Sequence, residues 1–322
     1  MGMRETIENF NTQFAFEPEI VNGGRLGKFS KFIVAGMGGS HLAADLVKTW
    51  KPDFDVAVHS DYAPLSIAAG SAKDTLVILS SYSGNTEETL DVLKDALSRG
   101  LPVAAVSVGG KLLDAAKIRG IPYVQIPDIG IQPRMATGFS FLALLKLMGE
   151  DEALQKVSGL ADSLVPLDYE AEGKALAERL YGFVPLIYAS SHNRAVAQNW
   201  KIKFNETGKI PAFYNVLPEL NHNEMTGFDV KEPTEMLSKN FYFIILKDED
   251  DRPQILKRMD VLADLLESRN FPVEVLGSGT GDVFEKIFSA LIMADWTAFY
   301  TAEGYGLEAE EVPMVEEFKK LI

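Results

Sequence analysis

The stretch "TLVILSSYSGNTEETLDVLKDALSRG", residues 75–100, decides the fold class. Its first six residues form an apolar run without polar alternation, which is typical of a strand buried on both faces of a parallel sheet. From Glu87 onward apolar residues recur at helical spacing, and Gly100 is a typical residue just beyond a helix C-terminus. The stretch therefore predicts a strand, a polar turn and a helix in immediate succession.

The same strand pattern recurs in two sets along the chain, with helical patterns between its members. The first set is "FIVAG" (32–36), "DVAVHS" (55–60), the 75–81 run, "PVAAVSV" (102–108) and "YVQI" (123–126). The second set is "VPLIYASS" (184–191), "YFIILK" (242–247) and "PVEVLG" (272–277). Alternating strands and helices predict open parallel α/β sheets.

We predict five parts: an N-terminal helical segment (1–24), a first α/β domain (25–150), a linker helix (151–174), a second α/β domain (175–305) and a C-terminal tail (306–322). The length of 322 residues is ample for two domains. In the second set, "YASSHNRAV" lacks the glycines of "GMGGS" in the first. We therefore expect one ligand site per chain, in the first domain.

Composition excludes several classes of function. A net charge of −15 argues against nucleic acid, whose phosphates demand clustered Lys and Arg. No apolar run approaches the roughly 18 residues that a membrane helix needs, so we expect no membrane partner. The sequence has no cysteine, which excludes disulfides and thiolate catalysis and fits a cytoplasmic protein.

The turn "SSYSGNTEET", residues 80–89, holds more hydroxyls than a helix cap requires. Unpaired N–H groups at a helix N-terminus attract anions. The hydroxyls of Ser81, Ser83 and Thr86 could supplement those groups around a phosphate, with Gly84 keeping the approach open. The alternative is plain capping, in which Asn85 and Glu88 have the spacing of a capping box.

A second glycine-rich turn lies in "VAGMGGSHLAAD", residues 34–45. A dinucleotide fingerprint would need a third glycine where His41 stands. Gly36, Gly38 and Gly39 instead suggest a backbone that approaches a ligand closely, with Ser40 near the helix N-terminus. A tight strand-to-helix turn without any ligand remains the alternative.

Three further residues are candidates for acid–base chemistry. Arg134, in "QPRMATG", is a candidate for stabilising developing negative charge, although a lone loop arginine is usually solvated. Glu206 and His222 lie in the polar stretch 203–228 and form a plausible acid–base pair. A metal set with Glu219 and Glu224 is the alternative, but metal-ligand spacings such as H-E-x-x-H are absent. Helix-capping or interface roles also remain open for Glu219 and its neighbour Asn221.

Taken together, "GMGGS", "SSYSGNTEET", "QPRMATG", "FNETGKIPA" and "PELNHNE" resemble the bifunctional phosphoglucose/phosphomannose isomerases of archaea and some bacteria. These proteins belong to the SIS (sugar isomerase) superfamily. The resemblance spans about residue 20 to the terminus. It implies two SIS domains, each a parallel sheet flanked by helices in a three-layer αβα sandwich.

The resemblance also implies roles for individual residues. It assigns the Gly38–Gly39 backbone and Ser40 to the edge of a sugar-phosphate site, and Ser81, Ser83 and Thr86 to the phosphate itself. Arg134 would stabilise an enediolate, and Glu206 would move a proton between C1 and C2. His222 would assist ring opening from the neighbouring subunit of a homodimer. A terminal lysine completes the set; Lys319 is favoured over Lys320.

The implied reaction interconverts glucose 6-phosphate, and mannose 6-phosphate, with fructose 6-phosphate through a cis-enediolate. That chemistry needs a carboxylate base, a cation and an acid–base group, and no metal or other cofactor. Two alternatives remain open. One is an SIS isomerase of another sugar phosphate, such as an amino-sugar phosphate. The other is a non-catalytic SIS regulator that binds a sugar phosphate without Glu206 and His222 acting on it.

Overall fold

A computed structural model of the chain describes residues 2–68 and 70–321. It forms two compact units, one of Glu8–Leu164 and one that combines Gly2–Ile7 with the chain from Val165 onward. Residue 1 of the predicted N-terminal segment, residue 69 of the predicted first domain and residue 322 of the predicted tail lie outside the described residues. The predicted linker 151–174 is divided, because the boundary between the units falls inside it.

The first part of the chain contains five strands and seven helices among the described residues. In chain order they are α1 (Met3–Glu8), β1 (Lys31–Ala35), α2 (Leu42–Trp50), β2 (Val56–His59), β3 (Thr75–Ser80), α3 (Glu87–Ser98), β4 (Val103–Ser107), α4 (Gly110–Arg119), β5 (Tyr123–Gln125), α5 (Thr137–Met148), α6 (Asp151–Ser158) and α7 (Leu160–Ser163). Most of α1 is counted with the second unit.

The five strands form one parallel sheet in the order β2-β1-β3-β4-β5. The register aligns Ile33 with Val77, and Val77 with Val103. These side chains lie on one face and form a core with α3 and α4. Successive strand residues face the opposite side, where α2 packs against α5. The sheet is therefore buried on both faces, which explains its continuous apolar runs.

Among its described residues, the second unit contains four strands and six further helices. In chain order they are α8 (Glu170–Arg179), β6 (Val184–Ser190), α9 (Arg194–Glu206), β7 (Phe213–Leu217), α10 (Glu235–Ser238), β8 (Phe241–Lys247), α11 (Pro253–Glu267), β9 (Val273–Gly277), α12 (Val283–Gly304) and α13 (Pro313–Leu321).

The second sheet is also parallel, with the order β7-β6-β8-β9. One face packs on α11, where Leu186, Phe243 and Leu262 are buried together. Helix α12 packs against α8 and α9, and most of its side chains are buried. The predicted α/β class with two helix-flanked parallel sheets is confirmed, and β7 is a strand that the sequence patterns did not reveal.

The boundaries around α3 correct one expectation. Gly100 does adopt the left-handed conformation just beyond the helix, with φ +64°. The capping box of Asn85 and Glu88 is wrong, because the N-cap residue is Thr86 and makes no side-chain cap bond. The Asn85 amide instead donates to Ser83 O at 3.1 Å and accepts from Lys111 N at 3.2 Å. Asn85 thus joins its own turn to the start of α4.

Candidate active site

The loops that follow β1 and β3 meet at the carboxyl edge of the first sheet. The strand order reverses direction between these two neighbours, and ligands of open α/β sheets bind at such a switch point. Tyr82 N donates to Ser40 Oγ at 2.9 Å, and Ser80 Oγ donates to Ser40 O at 2.6 Å. The structure therefore brings the two predicted ligand loops into direct contact through Ser40.

The hydroxyls of the β3 turn are arranged as one pair and one separate group. Ser81 Oγ and Thr86 Oγ1 lie 2.8 Å apart, and Gly84 N donates to Ser81 Oγ at 3.0 Å. Ser81 is buried and Thr86 is half-buried, so Thr86 presents the pair to solvent at the start of α3. Ser83 is exposed, and its Oγ accepts from Asn85 N at 3.2 Å. The pair of Ser81 and Thr86 is the preformed part of the turn.

Two glycines allow the loops to pack closely. A Cβ on Gly39 would lie 2.7 Å from both Arg134 N and Pro133 C. Gly84 has φ +70°, and a Cβ on it would collide with the carbonyl group of Gly109. The glycines therefore serve contacts between loops, and the expectation that Gly84 keeps an approach open for a ligand is wrong.

Arg134 lies in a short 3-10 turn, Pro133–Met135, just before α5. The residue is only 1% exposed, which is unusual for a loop arginine. Its backbone contacts the Gly39 side of the β1 loop. A guanidinium stays charged even when it is buried, so Arg134 supplies a buried positive charge to the first unit.

Glu206 is the last residue of α9 and is half-buried. The helix terminus is held firmly, because Thr207 N and Gly208 N both donate to Lys203 O, at 2.8 and 3.0 Å. Lys203 in turn forms a buried ion pair with Asp295 of α12, with Nζ 2.6 Å from Oδ1. The carboxylate predicted as the base thus stands at the end of a helix that is anchored into the core of its unit.

His222 is exposed at the end of the 3-10 turn Glu219–His222, and the loop that follows it is fastened to the second sheet. Tyr188 OH of β6 donates to Glu224 Oε1 at 2.6 Å, and Asn215 of β7 donates to Glu224 Oε2. Burial, together with the hydrogen bond to Glu224, raises the pKa of Tyr188 well above its usual range. Tyr188 therefore remains a neutral donor, and Glu224 acts as the anchor that leaves His222 facing solvent.

Lys319 and Lys320 lie on α13, which has no buried side chain among its described residues. Lys319 Nζ pairs with Glu316 Oε1 of the same helix at 2.8 Å. Packing within this unit therefore does not fix where the terminal lysine acts.

Comparison with known proteins places the chain in a family. A family model described as the bacterial phospho-glucose isomerase C-terminal SIS domain matches residues 169–322. The bifunctional phosphoglucose/phosphomannose isomerase of Aquifex aeolicus is 31% identical, over 98% of this chain and 97% of that protein. The enzyme of the same name from Thermoplasma volcanium is 32% identical, over the full length of both.

The chain belongs to the bifunctional phosphoglucose/phosphomannose isomerase family. The fold extends further than the sequence family. The crystal structure of a glucosamine-6-phosphate deaminase from Thermotoga maritima superimposes with a TM-score of 0.70 over 97% of each chain, at 16% identity. That likeness concerns the fold alone.

The second sheet of this isomerase has a cluster of charged side chains at its own switch point, where β6 and β8 end. Lys286 Nζ lies 2.8 Å from Asp248 Oδ1 and 2.5 Å from Asp250 Oδ2. Burial opposes the ionisation of Asp248, but hydrogen bonds, first that from Lys286, outweigh it and lower its pKa. A buried second carboxylate, Asp251, lies nearby. Carboxylates at this edge oppose the binding of phosphate.

Two features are absent from residues 2–68 and 70–321, a metal-binding cluster and a membrane-spanning helix. Within them, no group of three or more His, Asp or Glu side chains is arranged to hold a metal ion. Glu224, one member of the alternative metal set, is engaged with Tyr188 and Asn215 instead. In the same part of the isomerase chain, no helix has the length and apolarity needed to cross a membrane.

Proposed function

We propose that this chain is an aldose–ketose isomerase that interconverts glucose 6-phosphate, and also mannose 6-phosphate, with fructose 6-phosphate. The observation that carries the proposal is the full-length match to relatives named bifunctional phosphoglucose/phosphomannose isomerase. The proposal is supported by the meeting of two hydroxyl- and glycine-rich loops at a sheet switch point, where phosphates are commonly bound.

The first unit has the groups to hold the sugar phosphate. Thr86 and Ser81 form a preformed hydroxyl pair at the start of α3, where the helix dipole favours an anion. We assign the phosphate to this pair together with Ser83. The Gly38–Gly39 backbone and Ser40 form the adjoining edge. The phosphate is remote from the reacting carbons, and its binding would hold those carbons in position for the reaction.

The chemical steps need one base and one cation. Glu206 takes the proton from C2 of the aldose and returns it to C1, so that the sugar passes through a cis-enediolate. Arg134 stabilises the negative charge that develops on the enediolate oxygens. The reaction moves hydrogen within one molecule, so it requires no redox cofactor or metal.

His222 is assigned to opening of the sugar ring, and Lys319 to completing the set of charged groups. The exposure of His222 is compatible with its acting across the interface of a homodimer, which is the assembly we propose. The absence of cysteine is compatible with the reducing cytoplasm, the location we propose.

The decisive experiment is a coupled assay with fructose 6-phosphate on the native protein and on Glu206→Gln. Loss of a general base lowers kcat by about 10²–10⁴-fold, and binding of the sugar phosphate should persist. Glu178→Gln, which changes an exposed glutamate of α8, is the matched control and should keep native turnover. Native turnover in Glu206→Gln would refute the assignment of Glu206 as the base.

The alternatives are separated by a substrate panel. Turnover of an amino-sugar phosphate, with none of glucose or mannose 6-phosphate, would point to an SIS isomerase of another sugar phosphate. Tight binding of fructose 6-phosphate without turnover of any of these sugars would point to a non-catalytic regulator.

A further inference from the structure

Lys209 adopts a backbone conformation that lysine rarely takes. It follows the end of α9 by three residues and has φ +60°, in the left-handed region that favours glycine. The chain has a glycine at the preceding position, Gly208, but the left-handed residue is the lysine. A non-glycine residue in this region indicates that the interactions of its side chain offset the backbone strain.

The side chain of Lys209 joins two separate segments. Its Nζ donates to Glu206 O at 2.6 Å and also to Glu311 O. The first acceptor lies at the C-terminus of α9, where the last carbonyls lack partners within the helix and a cation is favoured. The second acceptor, Glu311 O, lies 102 residues beyond Lys209 in the chain, just before α13. Lys209 therefore bridges the end of α9 and the C-terminal segment, which we define as residues 306–321.

The C-terminal segment is shaped to receive this bond. The carboxylate of Glu308 accepts from Glu310 N and Glu311 N, both at 2.7 Å, and so closes a tight turn. Ala309 within that turn is only 5% exposed. Helix α13 follows directly and has no buried side chain among its described residues. The position of α13 therefore depends on how the turn before it is held.

We propose that Lys209 is a positioning residue that couples the C-terminal segment to the end of α9. The coupling is carried by the hydrogen bonds of Lys209 to Glu206 and Glu311. Its consequence for catalysis rests on the proposed function, in which Glu206 is the base at the end of α9 and Lys319 acts from α13. The two hydrogen bonds of Lys209 Nζ thus hold the backbone of Glu206 and the segment that carries Lys319 in a fixed relation.

The coupling is tested by amide hydrogen exchange on the full-length protein and on Lys209→Met and Lys209→Gly. Both variants should increase exchange in peptides of the C-terminal segment by at least about tenfold, with exchange in the second sheet unchanged. Lys209→Gly also relieves the backbone strain, so increased exchange in this variant cannot be attributed to misfolding around residue 209. Asn270→Gly is the matched control, because Asn270 is exposed and left-handed with φ +62° at the end of α11. Unchanged exchange of the C-terminal segment in both lysine variants would overturn the proposal.

The catalytic consequence is tested by a double-mutant cycle in the fructose 6-phosphate assay. If Lys209 acts through the terminal lysine, Lys209→Met and Lys319→Met should each lower kcat, and the double variant should be no slower than the slower single variant. The KM should change little, because the phosphate-binding loops lie in the first unit. Effects on kcat that multiply would overturn this link. Native kcat in Lys319→Met would refute the role of Lys319, while the exchange measurement would still decide the coupling.

Discussion

The buried ion pair of Lys203 and Asp295 offers a quantitative test of how α9 is held. The two side chains are 1% and 0% exposed, with Lys203 Nζ 2.6 Å from Asp295 Oδ1. Lys203→Met removes the cation but leaves the Asp295 carboxylate buried. Breaking a buried pair in this way costs roughly 3–5 kcal/mol of the free energy of unfolding. For a unit of this size, that corresponds to a fall in Tm of about 6–20 °C.

The double variant Lys203→Met/Asp295→Leu separates loss of charge pairing from loss of packing. Replacing both ions with apolar groups of similar volume is often neutral, so its stability should return to within about 1 kcal/mol of the native value. Its turnover should also return, because α9 then again packs as a helix against α12 and presents Glu206. Lys201→Met, on the same helix, is the matched control with a partly exposed lysine.

The measurement is chemical unfolding at two salt concentrations, followed by thermal unfolding and the coupled assay. A buried pair is barely screened, so the difference between native protein and Lys203→Met should be the same at low and high salt. A cost below about 1 kcal/mol, or one that vanishes in salt, is the behaviour of an exposed pair and would refute this reasoning.

Two further predictions concern the loops of the two switch points. Gly39→Ala places a Cβ 2.7 Å from Arg134 N, so the loops must separate, and kcat should fall by about 10²-fold. Gly24→Ala, where a Cβ meets nothing within 4 Å, is its control in the same assay. Burial raises the pKa of Asp251 above its ordinary 3.8. The folded state therefore holds this proton more tightly than the unfolded state, and the resulting stabilisation is full below pH 3.8 and is lost as pH rises through the raised pKa. Asp251→Asn should therefore raise Tm at pH 7 and have little effect near pH 4; a Tm gain that is equal at both pH values would contradict the assignment.

The sequence predicted the strands of the first sheet well because their environment is uniform. A strand buried on both faces must be apolar at every position, and all five apolar runs of the first set became strands. Strand β7 was not predicted, because its environment is not uniformly apolar. It is an edge strand with Phe213 52% exposed and Asn215 bonded to Glu224, so its residues resemble a polar loop. Pairing with β6 makes it a strand, and that pairing is not visible in a local pattern.

The candidate site divides in a similar way. The sequence by itself determined the parallel α/β class, the two glycine- and hydroxyl-rich turns and the residue types available for isomerase chemistry, because these depend on local composition and period. Only the tertiary structure decided that Thr86 and not Asn85 occupies the N-cap position of α3 and that Gly39 packs on Arg134. It also decided that Lys209 reaches Glu311. These features are contacts between atoms of different segments, and such contacts are set by how the sheets and helices pack around them.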